Sequence, residues 1–175
     1  MISYTLDRRA DTGVSNTRLG FWLFLASEVM LFGALFSAYA LLSISATTWP
    51  SGREVLNLPL GGVNTLVLIG VTMAAWRRKA VLSSGLAVVF LIIKAAEYTS
   101  EIRAGMVPSA NTFLALYFTL TGIHALHVIG GLIGNAWAAA GRAGAAMAAN
   151  RLGMMAIYWT FVDAIWLIIF LLLYV

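Results

Sequence analysis

The chain of 175 residues is 61% hydrophobic and only 10% charged, with a mean hydropathy of +0.90, far more apolar than a soluble globular domain. The composition therefore indicates an integral membrane protein. The formal net charge of +4 does not indicate nucleic-acid binding, because the basic residues stand at the ends of apolar segments and not in one patch. The absence of cysteine excludes disulfides, thiolate metal sites and thioether-linked haem.

Five apolar segments are long enough to cross a bilayer, which takes about 20 residues at a rise of about 1.5 Å per residue. The first segment is too long for a signal peptide and lacks a small-residue cleavage site, so we interpret it as a retained helix. The sequence therefore predicts an all-α, polytopic membrane helix bundle. An N-terminal segment, residues 1–18, precedes one transmembrane domain, residues 19–175, with spans at 19–42, 58–76, 81–100, 112–137 and 152–175.

The distribution of basic residues predicts how the bundle is oriented. Lys and Arg are enriched in cytoplasmic loops of membrane proteins, and the side opposite the amino terminus keeps only Arg53 and Arg103. We therefore expect a cytoplasmic amino terminus and, with five spans, a periplasmic carboxyl terminus. The basic residues on the predicted cytoplasmic side are Arg8, Arg9, Arg18, Arg77, Arg78, Lys79, Arg142 and Arg151.

The connections between spans differ in kind. The segment 43–57 is a turn-rich loop, whereas 77–80 is so short that the second and third spans must be antiparallel neighbours. Ser109 or Asn111 can cap the fourth span by accepting an unpaired backbone N–H. The Ala- and Gly-rich segment 138–150 fits either a loop or a short helical extension.

Four titratable residues lie at similar depth within the spans, namely Glu28, His124, His127 and Asp163. Placing an ionised group at the centre of a membrane helix costs roughly 2.5–3.5 kcal/mol on the lenient insertion scale. We therefore predict a polar layer near mid-membrane that faces the bundle interior or a partner subunit. A purely structural hydrogen-bonding role and, for Glu28, a role in proton handling both stay open. For Asp163 the sequence favours a bond to His124 or His127 on the fourth span.

Haem or metal binding by this layer is not predicted. The two histidines are the only ones in the chain and stand three residues apart on one helix, so they cannot hold one haem from both sides. A divalent metal shared with Glu28 or Asp163 is geometrically allowed, but no spacing demands it.

A second group of charges ends the third span. Lys94, Glu97 and Glu101 share one helical stripe near the predicted outer surface. A local salt bridge is the expected arrangement, with an ion or lipid-headgroup site as the alternative. With Asn64 of the second span, these residues are structural polar or lipid-facing candidates.

Several of these segments resemble the haem–copper oxidase subunit III family, of the cytochrome c oxidase subunit III type. Residues 21–32 read FWLFLASEVMLF, similar to the family's FWLF-x-x-SE-x-x-FF segment. Leu58-Pro59-Leu60 with Asn64-Thr65, and Glu97-Tyr98 with Glu101, are similar to its next two segments. Residues 111–113 (NTF), 122–131 (GIHALHVIGG) and 158–166 (YWTFVDAIW) are similar to the remaining ones, and all occur in family order.

The resemblance implies a subunit without redox centres of a proton-pumping terminal oxidase in aerobic respiration. Haem and copper would belong to partner subunits I and II, with subunit IV as a further candidate partner. This chain would flank subunit I, hold phospholipid in a cleft, and support proton uptake and stable turnover. It would be a multi-pass protein of the bacterial cytoplasmic (inner) membrane, with no catalytic residue of its own.

Two departures from the family pattern are visible. The family usually has seven helices, and this chain resembles its short five-helix bacterial form. Thr160 stands where many relatives have histidine, so no essential proton role is expected at that position. Subunit III of a quinol oxidase, an accessory protein of a nitric oxide reductase, and a small proton-coupled transporter with Glu28 and Asp163 as carriers are the alternative functions.

Overall fold

A computed structural model describes residues 13–139 and 145–175, and these form helices joined by short connections. Five of the helices are long and apolar enough to cross a membrane, which confirms the predicted all-α bundle of five spans. The helices are α1 (Asn16–Ser45), α2 (Gly52–Val55), α3 (Leu58–Trp76), α4 (Ala80–Arg103), α5 (Thr112–Ala139) and α6 (Ala145–Leu173).

The starts of the long helices follow from capping side chains. The backbone N–H of Leu114 donates to Asn111 Oδ1 at 2.8 Å, so Asn111, and not Ser109, caps α5. Asn57 caps α3 in the same way. Helix α1 begins at Asn16, slightly before the predicted Leu19, because the Ser15 side chain accepts from a backbone N–H of its first turn.

The segment predicted as a loop between the first two spans contains the one-turn helix α2. Gly52 opens this turn, and a Cβ atom there would overlap the carbonyl oxygen of Leu173. Only glycine lets the two backbones approach so closely. The turn therefore lies against the end of α6.

Helices α3, α4, α5 and α6 form the packed core of the bundle. Helices α3 and α4 are antiparallel neighbours, as predicted from the short connection 77–80. The turn between them passes through Arg78, which has a φ of 56°. Helix α1 lies at the edge against α5 and α6, and it buries only Leu25, Phe32 and Tyr39.

Helix α6 begins at Ala145, before the predicted start of the fifth span at residue 152. This part of the Ala-rich segment is therefore a helical extension of that span. Alanine has the highest helix propensity, so an extension there costs little. Residues 140–144, which include Arg142, lie outside the described part of the chain. So do Arg8 and Arg9 of the N-terminal segment.

Candidate functional site

Glu28 of α1 and His127 of α5 form a hydrogen-bonded contact between the two helices. His127 Nε2 lies 2.7 Å from Glu28 Oε2. The side chains of His127 and Glu28 are 14% and 16% exposed. Nδ1 of the same ring lies 2.9 Å from the carbonyl oxygen of Ile123. Because a carbonyl only accepts hydrogen bonds, Nδ1 carries a proton and donates it.

That assignment fixes the chemistry of the contact. With Nδ1 protonated, one further proton lies between Nε2 and the Glu28 carboxyl group. The pair is then either imidazolium with carboxylate or imidazole with carboxylic acid, and both forms are neutral overall. A neutral pair is tolerated at the edge of the bundle, and the shared proton can move between Nε2 of His127 and the Glu28 carboxyl group without changing the net charge of the pair.

The surroundings of His127 hold the ring in place. The Phe32 ring packs 5.0 Å from it, and the Tyr158 hydroxyl donates to the His127 carbonyl oxygen at 2.8 Å. Residues from α1, α5 and α6 therefore orient the imidazole toward Glu28.

His124 faces a different part of the bundle. It is fully buried, Nε2 lies 3.1 Å from the Val162 carbonyl oxygen, and the ring packs between Phe90 and Trp166. Its Nδ1 has no hydrogen-bond partner within residues 13–139 and 145–175. Three residues along α5 thus turn the two histidines toward different helices. Within residues 13–139 and 145–175, no group of three His, Cys, Asp or Glu side chains could hold a metal.

The predicted bond between Asp163 and a histidine of α5 is wrong. His127 pairs with Glu28 and His124 with a backbone carbonyl, while Asp163 Oδ1 has no partner among the described residues. Asp163 instead faces Thr72 of α3. Similar depth does not fix the rotation of a helix, and the rotation of α6 points Asp163 away from α5.

Mutant cycles test this reassignment. Asp163 and His127 share no hydrogen bond, so the stability losses of Asp163→Ala and His127→Ala are expected to add within about 0.5 kcal/mol. The losses of Glu28→Ala and His127→Ala should instead depend on each other, with a coupling energy of about 0.5–3 kcal/mol. Thermal loss of the subunit from the purified complex measures both cycles. Coupling confined to the Asp163 cycle would refute the assignment.

Five residues form a buried cluster where α4 approaches α5 and the end of α6. Lys94 Nζ donates to Glu97 Oε2 at 2.9 Å, to the Tyr117 hydroxyl at 2.9 Å and to the Tyr174 hydroxyl at 2.6 Å. The Tyr117 hydroxyl donates to Glu101 Oε1 at 2.9 Å, and the Tyr174 hydroxyl to Glu97 Oε1 at 2.8 Å. We call this group the Lys94 cluster.

The cluster confirms the predicted Lys94–Glu97 salt bridge but not its setting. Lys94, Glu97 and Glu101 are 2%, 3% and 4% exposed, so they lie in the protein interior and not on a lipid-facing surface. The two tyrosines were not predicted. The signal available in the sequence was the charge of Lys94, since a buried ammonium has three protons to donate and Glu97 accepts only one of them.

Other polar residues complete the core. Asn64 is fully buried, so it is not lipid-facing either, and neither polar atom of its amide has a partner in the described part of the chain.

Asn135, which the sequence did not single out, donates to Ser83 at 2.8 Å and to Ser84 at 3.0 Å and accepts from Trp159. These bonds join α4, α5 and α6 at the end of the bundle opposite the Lys94 cluster.

Comparison with known proteins decides the family. The family model described as cytochrome c oxidase subunit III matches residues 7–175. The chain belongs to the cytochrome c oxidase subunit III family. This confirms the resemblance carried by the sequence motifs.

Relatives within the subunit III family differ in the oxidase they serve. The chain is 34% identical to the cytochrome bo(3) ubiquinol oxidase subunit 3 of Pseudomonas putida, over 94% of this chain and 87% of that one. It is 33% identical to cytochrome c oxidase subunit 3 of Thermostichus vulcanus, over 90% and 86% of the two chains. It is also 30% identical over 90% of its length to the haem-copper oxidase subunit I+III of Aeropyrum pernix, covering 22% of that protein.

The departure from the subunit III pattern at position 160 has a structural counterpart. The Thr160 hydroxyl donates to the Ala156 carbonyl oxygen at 2.9 Å and accepts from Trp76 Nε1 at 2.9 Å. It therefore joins α3 to α6 near the surface. This is a packing role that needs no titratable group.

Proposed function

We propose that the chain is the subunit III of a proton-pumping haem–copper terminal oxidase and carries no redox centre itself. The family match over residues 7–175 is the observation that carries the proposal. Haem and copper are assigned to partner subunits I and II, with subunit IV as a further partner. Phospholipid is expected in a cleft between the helices.

The fused relative supports subunit I as the direct neighbour. Its name assigns subunits I and III to one polypeptide, which keeps the two subunits of that relative in the same complex. Helix α1, with few buried residues, leaves most of its surface free. A partner at this edge would also lie next to Glu28 and His127.

We assign to the Glu28–His127 pair a role in proton supply to the complex. The neutral contact, its shared proton and its partial exposure support that role. A proton-coupled transporter is less well supported, because Asp163 and Glu28 do not share a site and the relatives are oxidase subunits.

The protein is proposed to lie in the bacterial inner membrane, with its amino terminus in the cytoplasm. The exposed Arg77, Arg78 and Lys79 of the α3–α4 turn support it through the positive-inside rule. Arg151 lies at the same end and stacks on Trp137 at 4.1 Å.

The electron donor can be identified by measuring oxygen uptake by the complex, purified through a tag on this chain, with different reduced donors. We expect oxygen uptake with reduced cytochrome c, in keeping with the family match. Uptake with ubiquinol alone would favour the second candidate, a quinol oxidase, which the Pseudomonas relative supports. Oxygen uptake with neither donor would contradict both.

The isolated chain is expected to bind no haem. His124 and His127 face different helices, so the two rings cannot ligate one haem from both sides. The free ring nitrogen of His124, Nδ1, is fully buried and out of reach of a haem. The visible spectrum of the chain, separated from its partners, checks this. A Soret band at one haem per chain would refute it.

A further inference from the structure

We propose that Glu101 is a proton-holding site, with the proton on Oε2, inside the Lys94 cluster. This site is separate from the Glu28–His127 pair and goes beyond the role proposed for the subunit. Tyr117, which contacts Glu101, stands ten residues from His127 along α5, a separation of about 15 Å at 1.5 Å per residue.

The donor count of the cluster gives the first argument. Lys94 Nζ reaches three acceptors, and an ammonium has three protons to donate. Each phenol then spends its single proton on a carboxylate, Tyr174 on Glu97 and Tyr117 on Glu101. Both Glu97 oxygens are therefore satisfied as acceptors.

Glu101 is the exception in this network. Its Oε1 accepts from Tyr117, but its Oε2 is buried and has no partner among the described residues. A buried carboxylate oxygen without a donor is costly, whereas a carboxylic acid carries a smaller desolvation penalty. The unpartnered atom is therefore the position that a proton would occupy.

The charge count points the same way. Lys94 and Glu97 form a neutral pair at 2.9 Å, and a second carboxylate would leave the buried cluster with a net negative charge. The groups that face Glu101 are Lys94, Glu97 and Tyr98 of α4, Tyr117 of α5 and Tyr174 after α6. Lys94 is the one cation in this set, and Glu97 already neutralises it.

The position of Glu101 on its helix adds to the effect. It lies in the last turn of α4, where the helix dipole places partial negative charge and disfavours an anion. The adjoining Ala104 and Gly105 are exposed. A proton on Oε2 is thus held one turn from the loop that follows α4, through which it can exchange with water.

Matched glutamine variants of the complete complex test the assignment. Glutamine imitates a neutral carboxylic acid, so Glu101→Gln should be retained in the purified complex at the wild-type level. Glu97→Gln removes the carboxylate of the ion pair, and its retention should fall several-fold. Equal losses in the two variants would mean that both carboxylates are ionised and would overturn the proposal.

Infrared spectroscopy gives a readout that a purely structural role would not move. In the difference spectrum of Glu101→Gln minus wild type, we expect loss of one carbonyl band of a protonated carboxylic acid. Tyr117→Phe should keep this band and move it to higher frequency, because the hydrogen bond to Oε1 is lost. The absence of a lost band in Glu101→Gln, or an unmoved band in Tyr117→Phe, would overturn the proposal.

Discussion

Replacement of Lys94 by methionine is expected to destabilise the chain by about 3–5 kcal/mol, the usual effect of removing one partner of a buried ion pair. The change leaves the Glu97 carboxylate, 3% exposed, without its ammonium. It also removes the donor shared by the Tyr117 and Tyr174 hydroxyls. Retention of the subunit in the purified complex, followed during heating, measures the loss.

The double variant Lys94→Met with Glu97→Gln is the control. It removes both charges of the pair and leaves neutral side chains of similar size, so most of the lost stability should return, since a buried ion pair is often replaceable by neutral groups. Wild-type retention of Lys94→Met alone would show that the ammonium does not stabilise the cluster.

The second large effect is expected at Glu28, where Glu28→Gln should slow sustained, proton-coupled turnover of the complex while leaving assembly intact. The glutamine amide can still donate to Nε2 of His127, but it can neither take up nor release a proton. Because the pair acts on proton supply and not on the reacting atoms, we expect a loss below the roughly 10²-fold typical of a general acid or base at a reaction centre.

Proton uptake by the complex in lipid vesicles, with the rate of inactivation during turnover, measures this effect. Asp163→Asn is the matched control, since Asp163 is a carboxyl of comparable depth that does not contact His127. It should leave both quantities near the wild-type values. If Glu28→Gln had unchanged uptake and inactivation, Glu28 would be a packing residue only.

The helices were predictable from the sequence because bilayer thickness fixes their length and few segments are apolar enough to meet it. The prediction for residues 58–76 coincides with α3, where Asn57 and Arg77 mark both ends. The Lys94–Glu97 bridge was predictable because the two residues belong to one helix and their spacing decides the contact.

Contacts between helices were harder to predict. Asp163 and Glu28 were both compatible with a histidine partner, and only the rotation of α1 and α6 selects Glu28. In the same way Tyr174, which follows α6 in sequence, reaches Lys94 only because α3 and α5, which contact both α4 and α6, hold the end of α6 beside α4. Such contacts depend on tertiary packing that no local spacing encodes.

Purification of the tagged chain from its native membrane tests the central claim most directly. The account predicts that haem-containing subunits accompany the chain in a fixed ratio, so that the purified sample shows haem absorption and takes up oxygen. Recovery of the chain from mild detergent without any haem protein would contradict its assignment as a subunit of a haem–copper oxidase.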